Sequence, residues 1–101
     1  MPQPTIMVWG SVDENGNKIN GSDNFSVESN GNGRYKIYFN CGYSTVPAVV
    51  ASQNGYGQDD QSNLDGVVVP FVNQSYCQIN TGNSIATHLQ NRSFAFIAIG
   101  T

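Results

Sequence analysis

Apolar and polar residues alternate along this chain in short runs, broken by clusters of Gly and Asn, and no segment keeps apolar residues at i, i+3, i+4 and i+7 for three turns. The pattern predicts strands and almost no helix. The first strand covers 5–12, with Ile6, Val8, Gly10 and Val12 on one face and Met7 and Trp9 on the other. A short strand over 18–20 follows the turn Glu14-Asn-Gly-Asn17, because Asn-Gly accepts the positive φ that tight hairpins demand. Residues 24–28 form a brief strand with Phe25 and Val27 inward. After the turn Ser29-Asn-Gly-Asn-Gly33, residues 34–40 set Tyr35, Ile37 and Phe39 opposite Lys36 and Tyr38. Pro47 opens a strand over 48–52, as proline tolerates a strand's first position. Strands over 64–72, 75–80 and 92–99 complete the set.

The last of these organises the rest. In Arg-Ser-Phe-Ala-Phe-Ile-Ala-Ile (92–99), Phe94, Phe96 and Ala98 point one way and Ala95, Ile97 and Ile99 the other, so neither face is polar. Val67-Val-Val69 gives the 64–72 strand a similar two-sided character. Strands of this number and length, in sequence, imply an all-β fold, an antiparallel, jelly-roll-like β-sandwich of about 6–8 short strands. The expectation is one domain over residues 1–101. A single sandwich of that size covers one side of each sheet, so the second cover for 92–99 is expected to be another copy of the chain. Trp9, Val68, Phe96 and Ile97 are the interface candidates.

Composition narrows the classes. Charged residues make up only 11% of the chain against 39% apolar, so the surface is built from uncharged polar groups, with 13 Asn and 11 Gly. A net charge of -3 with four Lys plus Arg argues against nucleic acid, whose affinity comes from cationic contacts to phosphate. No basic amphipathic stretch points to a membrane surface. The start, Met-Pro-Gln-Pro-Thr-Ile-Met-Val-Trp-Gly, has neither a basic region with a long apolar core nor a spanning segment, so no signal peptide is expected and synthesis is placed in a cytoplasm. Without a secretory signal, Cys41 and Cys77 read as thiols rather than a bridge.

Chemistry is sparse. His88 is the one histidine, which excludes a histidine metal cluster, and no residue stands with Cys41 and His88 to orient a base. Asp59, Asp60 and Asp65 lack the regular spacing of a calcium loop, and a pair of adjacent acids without a deep cleft does not make a glycosidase. No catalytic residue, metal or cofactor is expected. The unpatterned loop 53–63 is long for so small a domain and reads as functional; with the loop 81–91 it offers Tyr56, Asp59, Asp60 and His88 as a sugar site, an aromatic ring stacking on the sugar while amides and carboxylates read its hydroxyls.

Gly10-Ser-Val12, Phe25-Ser-Val27, Gly33-Arg-Tyr-Lys-Ile-Tyr-Phe39, Pro47-Ala-Val-Val50 and Phe94-Ala-Phe-Ile-Ala-Ile-Gly100 together resemble the pattern of small β-sandwich modules in phage structural proteins, such as capsid decoration (cement) proteins and fibre tips. The resemblance implies a non-enzymatic homotrimer in the virion, with the major capsid protein or another virion protein as partner. The Pro47-Ala-Val-Val50 strand and a histidine before an apolar last strand are similar to the H-type lectins, and imply a glycan ligand instead.

Overall fold

The computed structural model describes residues 4–55, 57, 60–84 and 89–101. Eight strands, β1 (Ile6–Val12), β2 (Lys18–Gly21), β3 (Phe25–Ser29), β4 (Arg34–Phe39), β5 (Ala48–Gln53), β6 (Val67–Val72), β7 (Tyr76–Thr81) and β8 (Phe94–Gly100), form two four-stranded sheets. The first sheet runs β2-β1-β8-β5 and the second β3-β4-β7-β6, with every pairing antiparallel. The all-β sandwich expected from the alternation is the observed fold. β8 lies at the centre of the first sheet, hydrogen-bonded to β1 on one side and β5 on the other.

The turns form as their residues dictate. In the β1–β2 connection the Asp13 carboxylate accepts the backbone N–H groups of Asn15 (2.9 Å) and Asn17 (2.8 Å), and Gly16 takes φ 88°. In the β3–β4 turn, Gly31, Asn32 and Gly33 all have positive φ. Gly33 has a second constraint, since a Cβ there would lie 2.6 Å from the Thr81 carbonyl oxygen.

Two strand boundaries differ from the sequence expectation by more than one residue. β6 starts at Val67, not at 64: Leu64 sits in the turn closed by the Asp65 N–H donating to the Ser62 carbonyl (3.1 Å) and is 72% exposed. Its apolar character placed it in the run, but the turn-forming Ser-Asn before it and Asp-Gly after it prevail. β8 starts at Phe94, and just before it the Arg92 side chain lies 3.7 Å from the Asp65 carboxylate. Within β6 the pairing with β7 slips between Val68 and Phe71, where Pro70 has no N–H to give to the ladder.

The core lies between the sheets and is largely aromatic. Phe25 meets Phe96 edge-on with ring centroids 5.0 Å apart, Tyr35 packs on Phe94 at 5.0 Å, and Phe39 meets Tyr43 edge-on at 5.4 Å. Val8, Val12, Ile37, Cys77, Ile79 and Ala98 fill the space around them. Phe96, an interface candidate from sequence, is only 2% exposed; the parity of β8 sends it inward against Phe25, and Ile97 outward. Tyr43, in the β4–β5 connection, is drawn into the core as well. Its hydroxyl donates between the Ile6 (3.1 Å) and Ala98 (3.2 Å) carbonyls, tying that connection to β1 and β8, and burial pushes its pKa up to about 12.

Gly10 leaves the gap into which the Phe25 ring fits. A Cβ at that position would lie 2.5 Å from the end of the ring, and the neighbouring Asn20 carbonyl closes the remaining escape at 3.1 Å. Gly10→Ala is therefore expected to destabilise the fold by about 1–3 kcal/mol, the usual penalty of overpacking. At about 4–8 °C per kcal/mol for a domain of this size, a thermal melt resolves this clearly. A melting temperature equal to wild type contradicts this packing.

Candidate functional site: the two outer sheet faces

Stacking two sheets leaves each with one face outside the core, and these two faces differ sharply. On the first sheet, the strand register lines up three rows across β1, β8 and β5: Met7, Ile99 and Ala48; Trp9, Ile97 and Val50; Ser11, Ala95 and Ser52. None of the nine is charged. Exposure of the large members runs from 40% for Trp9 and 43% for Ile97 to 68% for Val50. Beside the ridge made by Ile97 and Val50, the small Ala95 and Ser52 leave a shallow depression of about 230 Å³ floored by Ala51 and Phe96. The face thus carries a projection and a hollow side by side.

The outer face of the second sheet is polar at most positions. Ser26 and Glu28 on β3, Arg34 and Lys36 on β4, and Gln78 and Asn80 on β7 all point outward. Among them runs a row of rings from three strands: Tyr38 packs on Tyr76 with centroids 5.7 Å apart, and Tyr76 on Phe71 at 5.3 Å with the planes only 30° apart. Lys36 Nζ lies 5.3 Å from the Tyr76 centroid.

The described parts of the two polar loops meet at one end of the sandwich. Gln53 Nε2 donates to the carbonyls of Gly66 (2.9 Å) and Gly82 (2.6 Å), and Gln61 Nε2 donates to Gln53 Oε1 (3.0 Å) and Asp65 Oδ2 (3.2 Å). The Ser84 N–H donates to Asp65 Oδ1 at 2.8 Å. That bond, with those from Gln61 and the nearby Arg92 guanidinium, holds the Asp65 carboxyl below its ordinary range. Asp65 is therefore a structural clamp between the loops. A cleft of about 590 Å³ opens near this end, lined by Ser11, Asp13, Glu14, Ile19, Asn91 and Arg92 among others. Its Asp13 carboxylate is committed to the β1–β2 turn.

The sequence-derived candidates separate as follows. Trp9 and Ile97 are cross-strand partners in the middle row of the apolar face. Val68, 61% exposed, belongs to the second sheet and so stands on a different surface. Phe96 is core, beneath that apolar face. Asp60 is exposed in a turn. Tyr56, Asp59 and His88 lie outside the described residues. Among the described residues, no group of three or more His, Cys, Asp or Glu stands together as metal ligands do. Sequence reasoning missed the Tyr38–Tyr76–Phe71 row altogether; only Tyr38 and Tyr76 carried a signal, as the outward members of alternating strands.

No protein family, curated protein or solved structure matches the chain. Its class rests on architecture, an all-β sandwich of two four-stranded antiparallel sheets.

Both cysteines are free thiols, in unlike settings: Cys41 is half-buried, whereas Cys77 lies in the core and burial pushes its pKa up to about 12. A maleimide is expected to label one site, Cys41, in the native protein and both after denaturation. Native labelling at Cys77 contradicts this core.

The Asp65 clamp makes a pH prediction. Its folded-state pKa is lowered from 3.8, so its stabilisation is complete above that value and is lost as pH falls through the lower folded value. The melting-temperature gap between wild type and Asp65→Asn is expected to be widest near about pH 6 and to narrow as pH falls below 3.8. A gap of constant size across that range contradicts the clamp.

Proposed function

We propose that this chain is a non-enzymatic structural module that self-associates, as a homotrimer, through the outer face of its first sheet. The observation that carries this reading is the uncharged grid around Trp9, Ile97 and Val50. Five large apolar side chains, each left roughly half exposed, present on the order of 500 Å² in one patch, toward the top of what soluble monomers show. With the smaller residues of the grid and its margins, that area approaches the roughly 800 Å² per partner of a standard stable interface. A second copy is the occupant best suited to it, because the hollow at Ala95 and Ser52 lies beside the ridge of Ile97 and Val50 and the same pair of shapes recurs on every copy. A ring of three covers each copy's face equally. β5, the uncharged edge of this sheet, lacks the lysines that commonly keep sheet edges apart.

The biological setting of such a trimer is a phage virion, where it decorates and stabilises the capsid by docking on the major capsid protein. What supports this is the likeness in sequence pattern to small phage sandwich modules, together with the scarcity, among the described residues, of titratable groups set up for chemistry. A self-associating module with a polar opposite face suits a role in which copies are fixed on a larger shell.

Equilibrium sedimentation at micromolar concentration is expected to give about three times the 10.9 kDa of one chain. Ile97→Glu is expected to yield a folded monomer, whereas Phe96→Glu, which buries a carboxylate in the core, is expected to unfold the chain. A wild-type monomer at that concentration overturns the reading, and so does an Ile97→Glu variant that stays trimeric.

A further inference from the structure

We propose that the row Tyr38–Tyr76–Phe71 on the outer face of the second sheet is a binding platform for a neutral oligosaccharide. This goes beyond the self-association reading and uses the opposite face of the sandwich. The three rings come from β4, β7 and β6 and are placed side by side by strand register: Tyr38 is the cross-strand partner of Tyr76, and Phe71 is diagonal to it through the pairing of Phe71 with Gln78. With centroids 5.7 and 5.3 Å apart and planes tilted by 45° and 30°, the rings form one row, and Phe71 is 47% exposed at its end.

The surroundings decide the ligand class. The apolar part of this face is one narrow strip of rings with Val68, 61% exposed, farther along β6, and the outward positions of β3, β4 and β7 around it are amides, hydroxyls and charges. Sugars fit such a strip, since their C–H faces stack on aromatic rings while their hydroxyls take hydrogen bonds from polar neighbours. Gln78 and Asn80 stand next to the strip, the Gln78 amide donating to Asn80 Oδ1 at 2.9 Å, and the Tyr38 hydroxyl donates to Glu28 Oε2 at 3.3 Å. Charge points to a neutral ligand. Lys36 Nζ already occupies the cation position over Tyr76, which disfavours a cationic ligand, and the Glu28 carboxylate at the Tyr38 end disfavours an anionic one. If the first sheet turns inward in a trimer, the strips face outward, and a polymer touching more than one gains avidity without any new contact.

The test is affinity electrophoresis of wild type through gels holding hydroxyethyl cellulose, xylan or galactomannan, together with a glycan array. Retardation by at least one neutral polysaccharide is expected. Phe71→Ala and Tyr38→Ala, both on the outer face, are expected to weaken it at least tenfold with little change in melting temperature. The Ile97→Glu variant separates this from the assembly reading: its per-site affinity, measured by calorimetry with a short oligosaccharide of the retarding polymer, should match wild type even where avidity falls. Three results overturn the proposal: no binding to any neutral glycan in gels and array, binding that survives both ring variants, or retention by a poly(dT) oligonucleotide alone, which would make the rings a base-stacking surface.

Discussion

A two-layer sandwich buries one face of each of its sheets, and everything distinctive about this molecule follows from what it leaves on the other two. β8 feels that constraint most. Its inward side chains, Phe94, Phe96 and Ala98, are the heart of the aromatic core, while Ile97 and Ile99, outward, are each 43% exposed. Because β8 is central in its sheet, flanked by β1 and β5, its outward residues cannot hide at an edge. They extend instead into a continuous apolar surface with Met7, Trp9 and Val50. The second sheet solves the same problem differently, with charges and amides around a single strip of rings. One molecule therefore presents an apolar side and, opposite it, a largely polar side crossed by a strip of rings.

Local constraints serve this arrangement. Gly10 is small so that the Phe25 ring can cross from the second sheet and pack against Phe96, directly behind the apolar face. Tyr43 fastens the β4–β5 connection to β1 and β8, two of the three strands of the grid. At the far end, the Gln53, Gln61 and Asp65 network joins loops that flank β5, β6 and β8.

Much of this was legible in the sequence, for a physical reason: strands state their faces every second residue. The alternation of Tyr35, Ile37 and Phe39, the Asn-Gly turns, and the two-sided run at 94–99 all translate directly into the observed elements. What sequence left open depends on contacts between distant segments. Parity alone could not say whether Phe96 or Ile97 faces the core, because both faces of β8 are apolar; only the Phe25 ring across the sandwich decides it. Leu64 looked like strand, but turn chemistry on both sides of it won. Val68 was grouped with Trp9 by its apolar character, although topology sets them on different sheets. The aromatic row was invisible because residues 38, 71 and 76 become neighbours only through cross-strand register and the slip at Pro70. The expected sugar site at Tyr56, Asp59, Asp60 and His88 has only Asp60 among the described residues.

Trp9 is the chain's one tryptophan and sits in the middle row of the apolar face, so its fluorescence reports directly on whether that face is covered. If a second copy seals it, emission at micromolar concentration is blue-shifted and shielded from acrylamide, and both properties are lost on dilution in step with dissociation. A red-shifted emission, freely quenched and unchanged with concentration while the protein remains folded, contradicts the claim that this face is an interface between copies.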